Sequence, residues 1–297
     1  MSTGAHRVSS FGSRLAAAMD DLGPLCVGID PHPALLASWG LADDVVGLRR
    51  FSLTVVEALA GRVAALKPQS AFFERHGAAG VGVLEEVLAA ACADGRTQVI
   101  LDAKRGDIGS TMAGYADAYL RAGAPLACDA LTVSPYLGVG SLEPAVRAAR
   151  DSGRGLFVLA LTSNPEGAAV QHAMAQGPDG PEAVAAAVAR QVRDLNTAEL
   201  AASGTAPLGS VGLVVGATVG DAVHRLGIDL AAVRGPLLAP GIGAQGAGPA
   251  ELREVFGSAR RAVLAATSRA VLGAGPDGSA VRAAASRATT EAAAALR

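Results

Sequence analysis

The sequence predicts a (β/α)8 barrel, the TIM-barrel architecture, and three observations carry that expectation. Eight short apolar or β-branched runs alternate with helical patterns along the chain. Composition does not break between the two halves, so the 297 residues read as a single domain with its barrel core at about 25–272. Charged or hydroxyl residues stand at or just past the ends of most runs, where such a barrel gathers its functional groups. An open doubly wound sheet is the competing arrangement. It calls for a Gly-rich dinucleotide turn after the first strand, and Gly28-Ile29-Asp30-Pro31 is not one.

Phe11 to Asp21 reads as a short N-terminal helix with Phe11, Leu15 and Ala18/Met19 on one face, ended by Gly23-Pro24. Strand one is Leu25–Ile29, and Pro31 and Pro33 forbid its continuation. A loop leads to a helix over about 44–61. Strand two is Val63–Leu66, followed by a helix over about 81–93. Strand three is Thr97–Leu101, with its helix over about 110–121. Asp129–Val133 is strand four, with a helix over 140–150, and Gly155–Leu161 is strand five. The Gly/Pro/Gln-rich stretch that follows is long for a compact domain and reads as a functional loop or lid. Pro181 is expected near the first position of the next helix. Val211–Gly216, Pro236–Ala239 and Arg261–Ala266 complete the set of strands, and an Ala-rich helix from about Ser279 closes the chain. The extended loops are 31–44, 134–144 and 164–181.

A net charge of -2 gives no electrostatic reason to expect nucleic acid or an anionic membrane as partner. No apolar run reaches spanning length and no signal-peptide pattern opens the sequence. Cys26, Cys92 and Cys128 are unclustered, which fits buried thiols in a reducing, cytoplasmic setting and argues against a disulfide framework or zinc site. The five histidines lack metal-ligand spacing, so no metal site is expected.

The most informative stretch is Asp102-Ala103-Lys104-Arg105-Gly106-Asp107-Ile108-Gly109-Ser110-Thr111. Side chains two apart on a strand share a face, so Asp102 and Lys104 project together. Gly106 is expected to let the chain turn, and Asp107 to open the next helix, where a carboxylate suits free N–H groups. A random Asp-x-Lys pair is most often a solvated surface ion pair, and a lone Lys67 a snorkelling one. Their shared position at strand ends argues for a site instead, joined there by Asp30, Ser163, Gln245 and Arg269. Past strand seven, Gly241, Gly243 and Gly246 could offer backbone N–H groups to a phosphate, which Arg269 could bind as a fork.

Taken together, these residues resemble the orotidine 5′-phosphate decarboxylase family, in its longer bacterial branch. The resemblance rests on Asp102-x-Lys104-x-x-Asp107-Ile108-x-x-Thr111, Gly28-Ile29-Asp30, Leu66-Lys67, Leu161-Thr162-Ser163-Asn164-Pro165, Pro240–Gly246 and Ser268-Arg269. It implies that orotidine 5′-phosphate loses CO2 to give UMP, a step of pyrimidine biosynthesis, without metal or organic cofactor. It implies that Lys104 stabilises the C6 carbanion and protonates it. Asp102 would stand near the departing carboxylate and hold Lys104. Lys67 and Asp30 would bind the ribose hydroxyls, Ser163 the pyrimidine amide, and Gln245 and Arg269 the phosphate. It also implies a homodimer in which Asp107 and Thr111 enter the neighbouring subunit's site.

Two other readings are weighed against this one. A magnesium-dependent sugar-phosphate decarboxylase or aldolase of the same superfamily shares Asp-x-Lys-x-x-Asp, but has an acidic metal ligand where Lys67 stands. A non-catalytic phosphosugar-binding barrel would not need Lys67, Asp102, Lys104 and Asp107 together.

Overall fold

In the computed structural model the described residues are 9–204, 206–241 and 248–297. The strands are β1 (Leu25–Ile29), β2 (Ala65–Pro68), β3 (Gln98–Arg105), β4 (Ala130–Val133), β5 (Gly155–Leu161), β6 (Met174–Gly177), β7 (Gly180–Ala183), β8 (Val211–Val215), β9 (Leu237–Pro240) and β10 (Val263–Thr267). Eight of them close a barrel in the order β1-β10-β9-β8-β5-β4-β3-β2, with every neighbouring pair parallel. Their near-continuous apolar runs suit strands buried on both faces. The interior is filled by a layer that includes Cys26, Ala65, Ile100, Ala130, Phe157, Val214, Leu238 and Leu264. A second, larger core packs the outer faces of the strands against the helices.

The helix Phe11–Leu22 covers the amino-terminal end of the barrel. Phe11 meets Phe157 edge to face, with ring centroids 6.0 Å apart. Gly155 makes this possible, because a Cβ there would collide with the Phe11 ring. Arg14 fastens the same helix by reaching Gln98 (3.2 Å), Asp129 (3.0 Å) and the Gly153 carbonyl (2.7 Å).

The order of elements follows the sequence reading, with four informative corrections. Strand two lies two residues later than expected, so Lys67 and Pro68 belong to it. Proline is tolerated at that last position, where the pairing ends. Strand three runs on through Arg105, past the expected Leu101. The helix expected from Pro181 starts at Val184. Pro181 instead lies in the antiparallel β6–β7 hairpin, opposite Gln176 and across the short Pro178-Asp179 connection. The loop after β1 contains the helix Pro33–Ser38, begun by the proline expected only to stop the strand.

The stretch after β3 departs from expectation in mechanism. Gly106 has no left-handed φ; its lack of a Cβ matters because one would strike the Ser134 carbonyl. Asp107 does not cap the next helix. That helix is Gly109–Tyr119, its N-cap is Ile108, and Asp107 Oδ1 accepts only the neighbouring Ile108 N–H, at 2.7 Å. No helix among the described residues is long and apolar enough to cross a membrane.

Candidate active site

Asp102 is the centre of the carboxyl-terminal rim. Its Oδ2 accepts from Lys67 Nζ at 3.0 Å and Gln69 Nε2 at 2.9 Å. Its Oδ1 accepts from Lys104 Nζ at 2.6 Å and the Thr132 hydroxyl at 2.9 Å. Burial opposes the charge on this carboxyl, but Lys67 and Lys104 outweigh burial and hold it well below the usual carboxylate range. Burial would likewise favour neutral Lys67, yet Asp102 and Asp30 raise its pKa above the usual lysine value. The site therefore holds fixed opposite charges at neutral pH. Below them, burial pushes the Cys26 thiol up to about 12, which leaves it an inert filler of the barrel.

The two lysines differ in access. The Lys67 side chain is 11% exposed and the Lys104 side chain 47%. Lys67 is a buried partner of Asp102, while Lys104 keeps an ammonium at the mouth. A backbone irregularity puts it there. The pairing of β3 with β4 shifts register between Leu101 and Arg105, and Lys104 has φ of 47°, a left-handed conformation that non-glycine residues adopt rarely. Thr132 Oγ1 secures this geometry by accepting the N–H groups of Ala103 (3.0 Å) and Lys104 (2.9 Å). Alternation brings Lys104 to the face of Asp102, as expected, and the irregularity sets its reach.

Two cavities adjoin at Lys67 and Pro240. One, of about 400 Å3, is lined by Gly28, Asp30, His32, Gly241, Ser268 and Arg269 among others. The other, of about 250 Å3, is lined by Asp102, Lys104, Thr132 and Ser163 and by the apolar Leu159, Val214 and Leu238. The first offers a carboxylate, a lysine and a guanidinium; the second sets apolar side chains beside charged ones. A ligand spanning both would have a polar, anionic end and a less polar end.

The structure thus brings together Asp30, Lys67, Asp102, Lys104, Ser163 and Arg269. It does not bring Asp107 or Thr111 to either cavity of their own chain; both lie on the stretch leaving the rim, Asp107 half-buried and Thr111 exposed. Gly243, Gln245 and Gly246 lie outside the described residues. Sequence reasoning missed Gln69 and Thr132. Thr132 left a faint signal, a polar residue within a buried strand one position from its end. Gln69, just beyond Pro68, left none.

The class defined by this fold and rim is a (β/α)8 barrel with an Asp–Lys charge array at the carboxyl-terminal ends of its strands. The comparisons are more specific. Residues 23–284 match the model of the orotidine 5′-phosphate decarboxylase / HUMPS family, and the chain belongs to that family. It is 60% identical over 289 residues to an orotidine 5′-phosphate decarboxylase of Salinispora arenicola, covering 97% of this chain and 99% of that one. It is 62% identical over 284 residues to the Streptomyces coelicolor protein of the same name, covering 95% and 96%. A crystal structure from Streptomyces avermitilis superposes with a TM-score of 0.90 at 59% identity, covering 100% of this chain and 99% of that one. The Leishmania donovani OMP decarboxylase superposes with a TM-score of 0.74 at 32% identity, covering 97% and 99%.

Proposed function

We propose that this protein decarboxylates orotidine 5′-phosphate to UMP through its Asp102-centred rim. The observation that carries the assignment of roles is the doubly paired Asp102, with Lys67 on one oxygen and Lys104 on the other. Loss of CO2 leaves an electron pair on C6 of the pyrimidine. With no conventional sink for it, stabilisation falls to a preorganised positive charge. Lys104 supplies that charge and then its proton, and the leaving CO2 departs beside Asp102. Since Asp102 is held ionised, the substrate carboxylate meets a fixed negative charge that its loss relieves.

The two cavities divide the substrate. Asp30 and Lys67 take the ribose hydroxyls, Arg269 the phosphate, and Ser163 the amide edge of a pyrimidine that rests on Leu159, Val214 and Leu238. Gln245, Gly243 and Gly246 complete the phosphate end. Binding energy gathered there serves the chemistry at the other end.

The working unit is a homodimer, with Asp107 and Thr111 reaching the partner's site. Two features support this: Asp107 is absent from its own cavity, and Ile108, Tyr136 and Leu137 are exposed apolar side chains near it in sequence or beside β4. The reaction needs no metal, and the expected setting is cytoplasmic.

The test is a spectrophotometric assay with orotidine 5′-phosphate, with and without EDTA. Turnover unchanged by EDTA is expected. That expectation follows from Lys67, which would repel a divalent cation; activity lost on chelation and restored by magnesium would instead favour the sugar-phosphate relatives. No turnover at all would favour a binding barrel.

A further inference from the structure

Six buried side-chain polar atoms have no hydrogen-bond partner among the described residues, and three of them, Asp30 Oδ1, Thr267 Oγ1 and Ser268 Oγ, belong to residues of one cavity. Buried polar groups are normally satisfied, so such a cluster marks where a ligand supplies the missing partners. Asp30 is assigned to ribose above. Thr267 follows Val263 and Ala265, which face the outer core. Ser268 continues the opposite row, Leu264 and Ala266, which faces the barrel interior.

We propose that the Ser268 hydroxyl is a further ligand of the substrate's phosphate. Its neighbour in sequence is Arg269, whose guanidinium lines the same cavity, as the Lys67 side chain does. Its hydroxyl makes no bond to the turn Arg269–Leu272 that it precedes and has no partner among the described residues, so it can donate to a ligand in the cavity. It also leaves Asp30 Oδ1 unsatisfied, although a Cβ placed on Gly28 would lie 3.1 Å from Ser268 Cβ and 2.9 Å from Asp30 Oδ2. Gly28 thus keeps open the space that Ser268 and Asp30 border. The division is chemical: Asp30 accepts only and suits a hydroxyl, whereas Ser268 donates and suits a phosphate oxygen beside a guanidinium.

The inference rests on the proposed substrate, and its test separates the two. KM and kcat for orotidine 5′-phosphate, and inhibition constants for UMP and uridine, are measured for wild type, Ser268→Ala and Ser268→Gly. Loss of one hydrogen bond to a charged group predicts a roughly tenfold rise in KM and in the UMP constant. The expected kcat stays within about twofold, uridine inhibition is unchanged, and Ala and Gly behave alike. Wild-type constants in Ser268→Ala overturn the proposal, as does an equal loss for UMP and uridine, or a defect confined to Ser268→Gly, which would mean packing against Gly28. A wild-type enzyme that neither turns over the substrate nor binds UMP overturns the site assignment itself, and this proposal with it.

Discussion

The two ends of the barrel solve opposite problems. The amino-terminal end is finished within the chain: Phe11 packs on Phe157 in the room left by Gly155, and Arg14 satisfies Gln98, Asp129 and a carbonyl. The carboxyl-terminal end is left unfinished. It has buried oxygens without partners among the described residues, a lysine in a left-handed conformation, and an aspartate that leaves the rim. Stability is concentrated where groups are satisfied, and function where they await something from outside the chain.

The largest expected effect comes from the unfinished end. Lys104→Ala should lose more than ~10³-fold in turnover, because both the proton donor and the charge facing C6 vanish. Its melting temperature should stay near wild type, since the side chain is half exposed. A variant keeping a tenth of the rate would mean that another group protonates C6. Phe11→Ala should do the reverse. A lost buried aromatic costs about 3–5 kcal/mol of stability, read by denaturant unfolding, with near-normal kcat/KM for protein that remains folded. Arg269→Ala should lower kcat/KM by about 10–100-fold, and more than kcat, as one charge-assisted fork is lost. Unchanged constants would remove Arg269 from the phosphate end.

The smallest effect is on pH dependence. Asp102 titrates below its ordinary value in the fold, so its contribution to stability is complete above that value, about 3.8, and fades as pH falls through it. Lys67 titrates above its ordinary value of 10.5, so its contribution is complete below that and fades as pH rises further. Between these limits the pair adds no slope. Thermal melts taken downward from pH 5 through and below pH 3.8 should show an acid-side decline that is shallower in Asp102→Asn.

Much of this contrast was legible in the sequence, for physical reasons. Each charge alone reads as a surface group, but Asp30, Lys67, Asp102 and Lys104 recur at strand ends of one α/β pattern, and that shared position announced the rim. Phe11 and Leu15 announced an amphipathic helix, though not the surface that it covers. Other features left no pattern. The β6–β7 hairpin has Gly, Pro and Gln in place of alternating apolar residues, so its sequence suggests a functional loop or lid followed by a helix start. Asp107 has the composition of an N-cap, and only the bond to Ile108 assigns the helix start elsewhere. Gln69 is neutral and lies just past Pro68, and its bond to Asp102 arises from which strands become neighbours.

The claim that the upper rim is completed by a second copy is tested most directly by subunit mixing. Lys104→Ala and Asp107→Ala homodimers should each be nearly inactive. In a mixed dimer of the shared-site form, one site collects both lesions and the other collects neither. Exchanging subunits between the two inactive proteins should therefore restore activity, up to half of the wild-type sites in each mixed dimer. Verified exchange with no recovery would place Asp107 within its own chain's site and contradict the account.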